Sequence, residues 1–502
     1  MSKAFIVINE ADNAAVALEP LEAGFEFEYR GARGRLLEAV GRGHKFALRD
    51  IAAGGDVIKY GAAIGAAVSA IPRGAHIHVH NLKTSLCGEV DYRYEPGKAA
   101  RAGVSRYEGP ALRGGFLGYP REKGGAGVRN EVWIIPTVGC VNGIGKALED
   151  GARERYAGRR FDGVVFFPHA YGCSQMGDDQ EATQKILAGL AVHPNAGGVL
   201  VLGLGCENNN IAAFKPVLGD YDAERVRFFS AQESGDEIAE ALVLLDELVG
   251  RCEADSRREI DVSALRVGLK CGGSDGLSGV TANPLVGRFS DLLLARGGTS
   301  VLTEVPEMFG AEAVLLNRCA DEAVFERAAR MINGFKRYYE RHNQVIYENP
   351  SPGNKAGGIS TLEDKSLGCV QKGGAGIVTD VLRYGDRLSR AGLSLLEGPG
   401  NDIVAVTALA AAGAHIILFT TGRGTPLGSP VPVIKIATNS ALAAHKKSWI
   451  DFDAGVLTGE ASLDGLAALL YEKALSVSCG EKTKNEERGF RDIAIFKDGV
   501  IL

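Results

Sequence analysis

Apolar and polar positions alternate in short runs over the first ninety-odd residues. AFIVIN, FEFEY, HKFALRDI, DVIKYG and HIHVHNL are separated by Gly, Asp and Asn turns every ten or so residues. Alternation of period two over runs this short predicts strands, and their succession predicts a small all-β domain over residues 1–95. Residues 96–127, from PGKAARAG through GGFLGYPREKGGAG, are rich in Gly, Arg, Lys and Pro and follow no period. They read as a linker, of the kind that also carries functional side chains.

From Val128 the texture changes to continuous apolar strands followed by amphipathic helices. EVWIIPTVGC precedes a helix from Gly143, DGVVFFPHAYGC one near Asp179–Val192, and GGVLVLGLGC and RVRFFS lead to a helix ending near Val249. Strands that are apolar throughout are buried on both faces, which is the mark of a mostly parallel sheet between helices. The polar stretch GRCEADSRREIDVS at 250–263 suggests a boundary, giving a first α/β part over 128–255 and a second over 256–502. The second contains RVGLKCGG, TSVLTEV, a long helix near Asp321–His342, AHIILFTT and PVIKIAT. The expected fold class is therefore α+β and multidomain, a small β domain before a larger two-part α/β region.

Composition agrees with this division and removes several functions. A chain of 502 residues, 45% hydrophobic and 24% charged, is globular and long enough for two to four domains. A net charge of −6 with no basic patch argues against nucleic acid. The apolar run Val404–Phe419 is interrupted by Gly413 and His415 and is too short to span a bilayer. The N-terminus, with five apolar residues followed by acids, does not read as a signal peptide. Nine dispersed cysteines without a CxxC pair read as reduced thiols, so a cytoplasmic location is expected. The 67 glycines, roughly twice the usual share, belong to turns and backbone-lined sites.

Two constellations carry candidate chemistry. His76, His78 and His80 alternate along HIHVHN, so a strand places all three on one face, where they can offer nitrogen ligands to a divalent metal beside Asn81. GHKFAL adds His44 and Lys45 at a Gly-flanked turn. Cys140, Cys173, Cys206 and Cys271 each close an apolar strand, and ligands of open α/β sheets bind outside the carboxyl ends of the strands. Thiolates there suit iron, as an ion or as a cluster. Further Gly-flanked polar loops hold Arg129 and Asn130, Glu304 and Glu307, Asn354 and Lys355, Lys365 and Lys372, and Arg423. They suit a polyhydroxylated anion. GCVNGIGKA lacks the first Gly and the hydroxyl of a P-loop, and VLGLGCENN lacks the third Gly of a dinucleotide fingerprint, so neither ATP nor NAD is expected.

GHKFALRDI, VIKYG, HVHN, GVRNEVWIIPTVGCVNG, YGCSQMGDDQ, GLGCENN, CGGSDGLSGVTANP, LTEVPEMFGAE, ENPSPGNKAGG, TLEDKSLGC and TGRGTP resemble the motifs of the altronate/galactarate sugar-acid dehydratases, over nearly the whole chain. The resemblance implies an N-terminal β-clip domain of the SAF type, a two-part α/β catalytic region, and dependence on divalent iron or manganese, with an iron–sulfur cluster left open. It implies a hydro-lyase acting on D-altronate in galacturonate breakdown. Galactarate, or a lyase expelling something other than water from a sulfo-acid, are the alternatives; a sugar-acid-binding regulator is disfavoured by the missing basic patch. On this reading His78, His80, Cys140 and Cys206 hold metal, and His44 or His169 is acid or base beside Cys173 and Glu207. Lys45, Asn81, Arg129, Asn130, Asn208 and Lys355 bind substrate. The expected partners are the small-molecule substrate and a second copy of the chain in a homodimer, without membrane.

Overall fold

The computed structural model describes residues 4–95, 107–123 and 125–499. The N-terminal domain is all-β among its described residues. Phe5–Ile6, Ala14–Ala17, Lys45–Ala47 and His76–Ile77 form one antiparallel sheet, and Asp56–Lys59, Ala62–Ala67 and Leu82–Lys83 form another. Its inward side chains Ile51, Val57, Ile64, Ile77 and Leu82 join a core that continues into Val267, Leu269 and Phe289 of the last domain. The domain is thus welded to the α/β region rather than tethered to it.

The first α/β sheet is parallel, in the order Val164–Phe166, Glu131–Pro136, Ala196–Gly203, Val226–Ser230. Successive residues of its central strand face opposite layers. Val132 and Ile134 pack with Leu148, Leu245 and Leu248 on one side, while Trp133 and Ile135 pack with Ile186, Leu187 and Phe214 on the other. Each such buried side chain contributes about 1.5–3 kcal/mol.

The second sheet has seven parallel strands, ordered Val378–Leu382, Gly392–Leu396, Thr299–Leu302, Arg266–Cys271, Ile416–Thr421, Val433–Ala437, Phe452–Asp453. The long helix expected near Asp321–His342 is Glu322–Arg341, its first turn capped by the Asp321 carboxylate, which accepts from Val324 N.

The two sheets share one core through the helices Gly177–Ala191 and Asp402–Ala411. These helices run side by side in the same direction. Gly189 near the end of one abuts Ala411 at the end of the other, and their starts lie around one cavity lined by Asp178, Asp179, Glu397 and Gly398.

The stretch 96–127 is not a linker throughout. Residues 96–106 and 124 lie outside the described residues, but Gly115–Arg121 and Gly125–Gly127 are strands. The former also pairs antiparallel with Arg258–Asp261, inside the segment that its polarity marked as a boundary. Gly115–Arg121 is the middle strand between Gly125–Gly127 and Arg258–Asp261, and its alternation of buried with exposed side chains leaves no continuous apolar run for the sequence to show. Among the described residues, no helix is long and apolar enough to cross a membrane.

Candidate active site

The histidines gather more tightly than their spacing implied, and by a different local structure. The strand ends at Ile77, and residues 78–81 turn back. Asn81 shapes that turn: its Oδ1 accepts from His78 N (3.0 Å) and its Nδ2 donates to His76 O (2.9 Å). It is a brace rather than a substrate ligand. The His76 ring lies 5.6 Å from both His78 and His80, and His44 lies 5.1 Å from His76 and His78, all centroid to centroid.

His44 Nδ1 is 3.0 Å from His76 Nε2, and His44 Nε2 is 3.4 Å from Ala356 O. A carbonyl only accepts, so for neutral rings His44 carries its proton on Nε2 and receives one from His76, leaving His76 Nδ1 as a lone pair. Burial, then the neighbouring imidazoles, lowers His76 to about 4. Burial, then Lys45, does the same to His78. Both rings are neutral near pH 7, able to accept a proton or bind a cation.

The cluster faces residues 356–364 of the last domain. His78 Nδ1 meets Ser360 Oγ at 2.9 Å. Glycines permit the approach, since a Cβ on Gly276 would stand 1.9 Å from Gly43 O, and one on Gly358 (φ 101°) 2.4 Å from the same atom. Lys45, expected to hold a substrate carboxylate, is fully buried. Its ammonium donates to Gly358 O (2.7 Å), Ser360 Oγ (2.9 Å) and Asp364 Oδ2 (2.8 Å), which uses all three protons. Lys355 is the better-placed cation: among the described residues its half-buried ammonium has no hydrogen-bond or ion-pair partner. Exposed Arg423 lies alongside, donating one proton to Gly353 O (3.0 Å).

Other expected ligands are structural. Arg129 spends its donors on Glu486, Val128 O, Val477 O and Glu481 O, and is 2% exposed. Asn130 is buried, accepting from Arg121 and donating to Cys252 O. His169 is buried between Pro136 O (2.7 Å) and Tyr171 N (3.1 Å), so both ring nitrogens are committed and it cannot exchange a proton with substrate. The reason is common to all three. Each sits where chain segments meet, and the polar backbone groups there had to be satisfied from within.

Cys140, Cys173 and Cys206 are exposed and follow adjacent strands of the smaller sheet. Their loops interlock: Gly139 N donates to Tyr171 O (2.9 Å), Asn209 N to Gly172 O (3.1 Å), and Ser174 N to Asn208 Oδ1 (2.9 Å). The buried Glu207 carboxylate accepts from Thr137 Oγ1 (2.6 Å), Leu204 N (3.0 Å) and Gly205 N (2.6 Å). Burial opposes its ionisation, but these donors hold its pKa below the usual value. Glu207 and Asn208 thus build the thiol rim instead of reaching past it.

Cys271 departs from that set. It is buried at the end of Arg266–Cys271, 3.3 Å from Cys369 Sγ and 2.9 Å from Glu307 Oε2. Around it Lys270 Nζ bonds Glu304 and Asp402 Oδ1 (2.8 Å), and Lys365 pairs with Glu307 (2.7 Å). Glu304 adopts φ 71°, ψ 60°, a left-handed conformation costly for a side chain of its size. Among the described residues, Cys271, Glu307 and Cys369 are the one His/Cys/Asp/Glu trio whose ligand atoms all lie within 4.8 Å of one another. Among the described residues, no three of the expected set His78, His80, Cys140 and Cys206 bring their ligand atoms within that distance of one another. The direct neighbours of the histidines in the last domain are Ala356 and Ser360. Cys369, Lys270, Ser360 and Asp364 escaped sequence reasoning. A lysine inside the apolar run RVGLKC and an acidic pair inside a buried helix were the available signals.

The chain matches three family descriptions in succession: the altronate/galactarate dehydratase SAF domain over residues 3–85, the D-galactarate dehydratase/altronate hydrolase second domain over 118–253, and the D-galactarate/altronate dehydratase C-terminal domain over 262–501. It is 52% identical to altronate dehydratase of Escherichia coli, covering 99% of this chain and 100% of that one. It is 50% identical to altronate dehydratase of Bacillus subtilis over 100% of both. Against the galactarate dehydratase (L-threo-forming) of Escherichia coli the identity is 34%, covering 99% of this chain and 97% of that one. With β domain, thiol-bearing sheet and large parallel sheet each matched in order, the chain belongs to the altronate/galactarate dehydratase family.

Proposed function

We propose that the chain dehydrates D-altronate to 2-keto-3-deoxy-D-gluconate, as a cytoplasmic enzyme of galacturonate breakdown. The observation that carries the substrate is the 50–52% identity, over full length, to two altronate dehydratases, against 34% to a galactarate dehydratase.

The reaction removes the proton on C2 and the hydroxyl on C3, and the resulting enol tautomerises to the keto acid. A proton beside a carboxylate is weakly acidic, so the carboxylate's growing charge must be met by cations. Lys355 and Arg423 are available for this. The His44–His76 pair lies beside them, and its neutral imidazoles can take the C2 proton and pass it along their shared hydrogen bond. Ser360 and Asn81 hold His78 and its turn in place.

The family reading implies divalent iron or manganese, and the donors of this chain fit it. Neutral imidazoles suit either metal, while the thiols Cys140, Cys173 and Cys206 favour iron. When bound, the metal supplies Lewis acidity toward the substrate's oxygens.

Release of 2-keto acid from D-altronate, galactarate, D-glucarate and D-mannonate by the metal-replete protein tests the proposal. D-altronate is expected to give the highest kcat/KM. Preference for galactarate would transfer the substrate to the second branch of the family, and no keto acid from any of them would overturn the dehydratase reading. His44→Ala and His76→Ala are expected to lower kcat by about 10²–10⁴-fold with little change in Tm, since neither ring is fully buried.

A further inference from the structure

We infer that Cys271 and Cys369 are a redox site: a peroxide closes them into a reversible disulfide beneath the seam where the histidine turn meets the last domain. Neither thiol takes part in the dehydration proposed above, so the inference stands apart from that reading.

The sulfurs are already in contact. Cys271 Sγ and Cys369 Sγ lie 3.3 Å apart, and among the described residues no other two thiols share a hydrogen bond. A disulfide of about 2.05 Å needs roughly 1.3 Å of closure, within reach of small side-chain rotations.

Burial in apolar surroundings makes a thiol inert, but this pair is not so surrounded. The ammonium groups of Lys270, Lys365 and Lys372 stand around it and answer the carboxylates of Glu304, Glu307 and Asp402. The nest is therefore balanced in charge without a bound cation. The hydrogen bond from Cys369, helped by Lys372 and Lys270, holds Cys271 below the usual thiol value against burial and Glu307. The same bond and burial push Cys369 up. One sulfur is thus the nucleophile, and its neighbour keeps the proton.

A cavity reaches them. It lies between the β domain and the last domain, has a volume of about 10 Å³, and has Tyr60, Ser274, Asp364, Lys365 and Cys369 in its wall. That is room for one water-sized polar molecule, and a peroxide is little larger. The buried Ser274 Oγ has no hydrogen-bond partner among the described residues. Tyr60 stands beside it with a left-handed backbone (φ 61°). An orphaned hydroxyl and local strain both suit a site that receives a small polar guest.

The chemistry balances. The Cys271 thiolate attacks one peroxide oxygen; an S–O bond forms, the O–O bond breaks, and the leaving hydroxide takes up the proton that Cys271 had released. The Cys369 sulfur then displaces hydroxide from this sulfenic acid, and its own proton leaves with that hydroxide as a second water. Two thiols lose two electrons, and the peroxide gains them.

The bond joins the two elements that seat the β domain. Cys271 leads into the loop 272–276, where Gly276 N donates to Gly357 O (2.7 Å) and Gly276 abuts Gly43. Cys369 ends the helix Leu362–Cys369, whose Asp364 anchors Lys45 and Lys59 and which follows Ser360, the partner of His78. Closure also draws Cys271 away from Glu307 Oε2, now 2.9 Å distant. The histidine turn therefore feels the oxidation state of the pair.

The test exposes the full chain to hydrogen peroxide, alkylates the remaining thiols in denaturant and maps the peptides by mass. A cross-link between Cys271 and Cys369 is expected, two hydrogens lighter than the separate peptides and cleaved by dithiothreitol. In Cys369→Ser the cross-link should be lost, and dimedone should trap Cys271 as the sulfenic acid. Two free thiols at a dose that oxidises the exposed Cys87 overturn the inference, as does Cys271 paired elsewhere or carried to the sulfinic acid. The wild-type map decides this whether or not the variant folds. Hydrogen exchange over 272–276 and 356–364 should differ between oxidised and reduced protein, and the difference should vanish with dithiothreitol. Unchanged exchange there, with the bond formed, overturns the coupling to the seam. No readout involves a sugar acid, so failure here and failure of the dehydratase proposal are separate results.

Discussion

Two lysines of the β domain, Lys45 and Lys59, end on one carboxylate of the last domain, Asp364, and all three side chains are buried. Burial alone would raise the acid's pKa; the two ammonium groups instead hold it well below the usual carboxylate range. Removing one charge from such a cluster leaves the others buried and uncompensated, so Asp364→Asn should cost about 3–5 kcal/mol in urea unfolding. The sign with pH follows from the depressed pKa. The contribution is complete above the unfolded value of about 4 and is lost as pH falls below it, so the gap between wild type and variant should narrow on acidification. Arg129 and Lys355 separate brace from ligand. Arg129→Ala should lower Tm, by about 3–5 kcal/mol of stability, and leave KM of the surviving enzyme unchanged, because its donors face the protein. Lys355→Ala should leave Tm alone and lower kcat/KM for D-altronate by roughly 10–100-fold, the worth of one charge-assisted hydrogen bond. Sequence could nominate both cations, since both stand in Gly-flanked or polar loops. It could not tell them apart, because Arg129's partners Val477, Glu481 and Glu486 are about 350 residues away.

At the scale of elements, the seam between the histidine turn and the loop 272–276 depends on absent side chains. Gly276→Ala would place a methyl group 1.9 Å from Gly43 O, next to His44, and a backbone carbonyl cannot swing aside as a flexible side chain can. We expect kcat for D-altronate to fall well beyond what the accompanying loss of Tm explains, with the metal content unchanged. Strands of the α/β region were legible because burial on both faces makes them apolar throughout, as in EVWIIP and IILFTT. The strand Gly115–Arg121 was not, because GFLGYPR alternates between a buried face and an exposed one with Gly and Pro interposed. Its pairing with Arg258–Asp261 is set by contacts some 140 residues apart.

For the molecule as a whole, metal should be the condition of activity. Chelation is expected to abolish keto-acid formation, and Fe²⁺ under reducing conditions to restore it better than Mn²⁺, since the thiol rim prefers the softer ion. Full activity after exhaustive metal removal would contradict the metal-centred mechanism. The fold class followed from the sequence itself: period-two alternation yields a small β domain and two-sided apolar strands yield parallel sheets, because both patterns are local consequences of burial. The clustering of imidazoles was legible too, because His76, His78 and His80 stand on one short segment, whereas the dehydratase chemistry was legible only through the resemblance of whole motifs to a known family. Tertiary structure decided the assignment of roles. It consumed Lys45, Arg129, Asn130 and His169 as braces and left Lys355 open. It seated the histidines on residues 356–364, and it hid a charged nest around Cys271 inside the large domain. Those outcomes depend on which distant groups compete for each donor and acceptor. That competition is settled only when the chain segments meet.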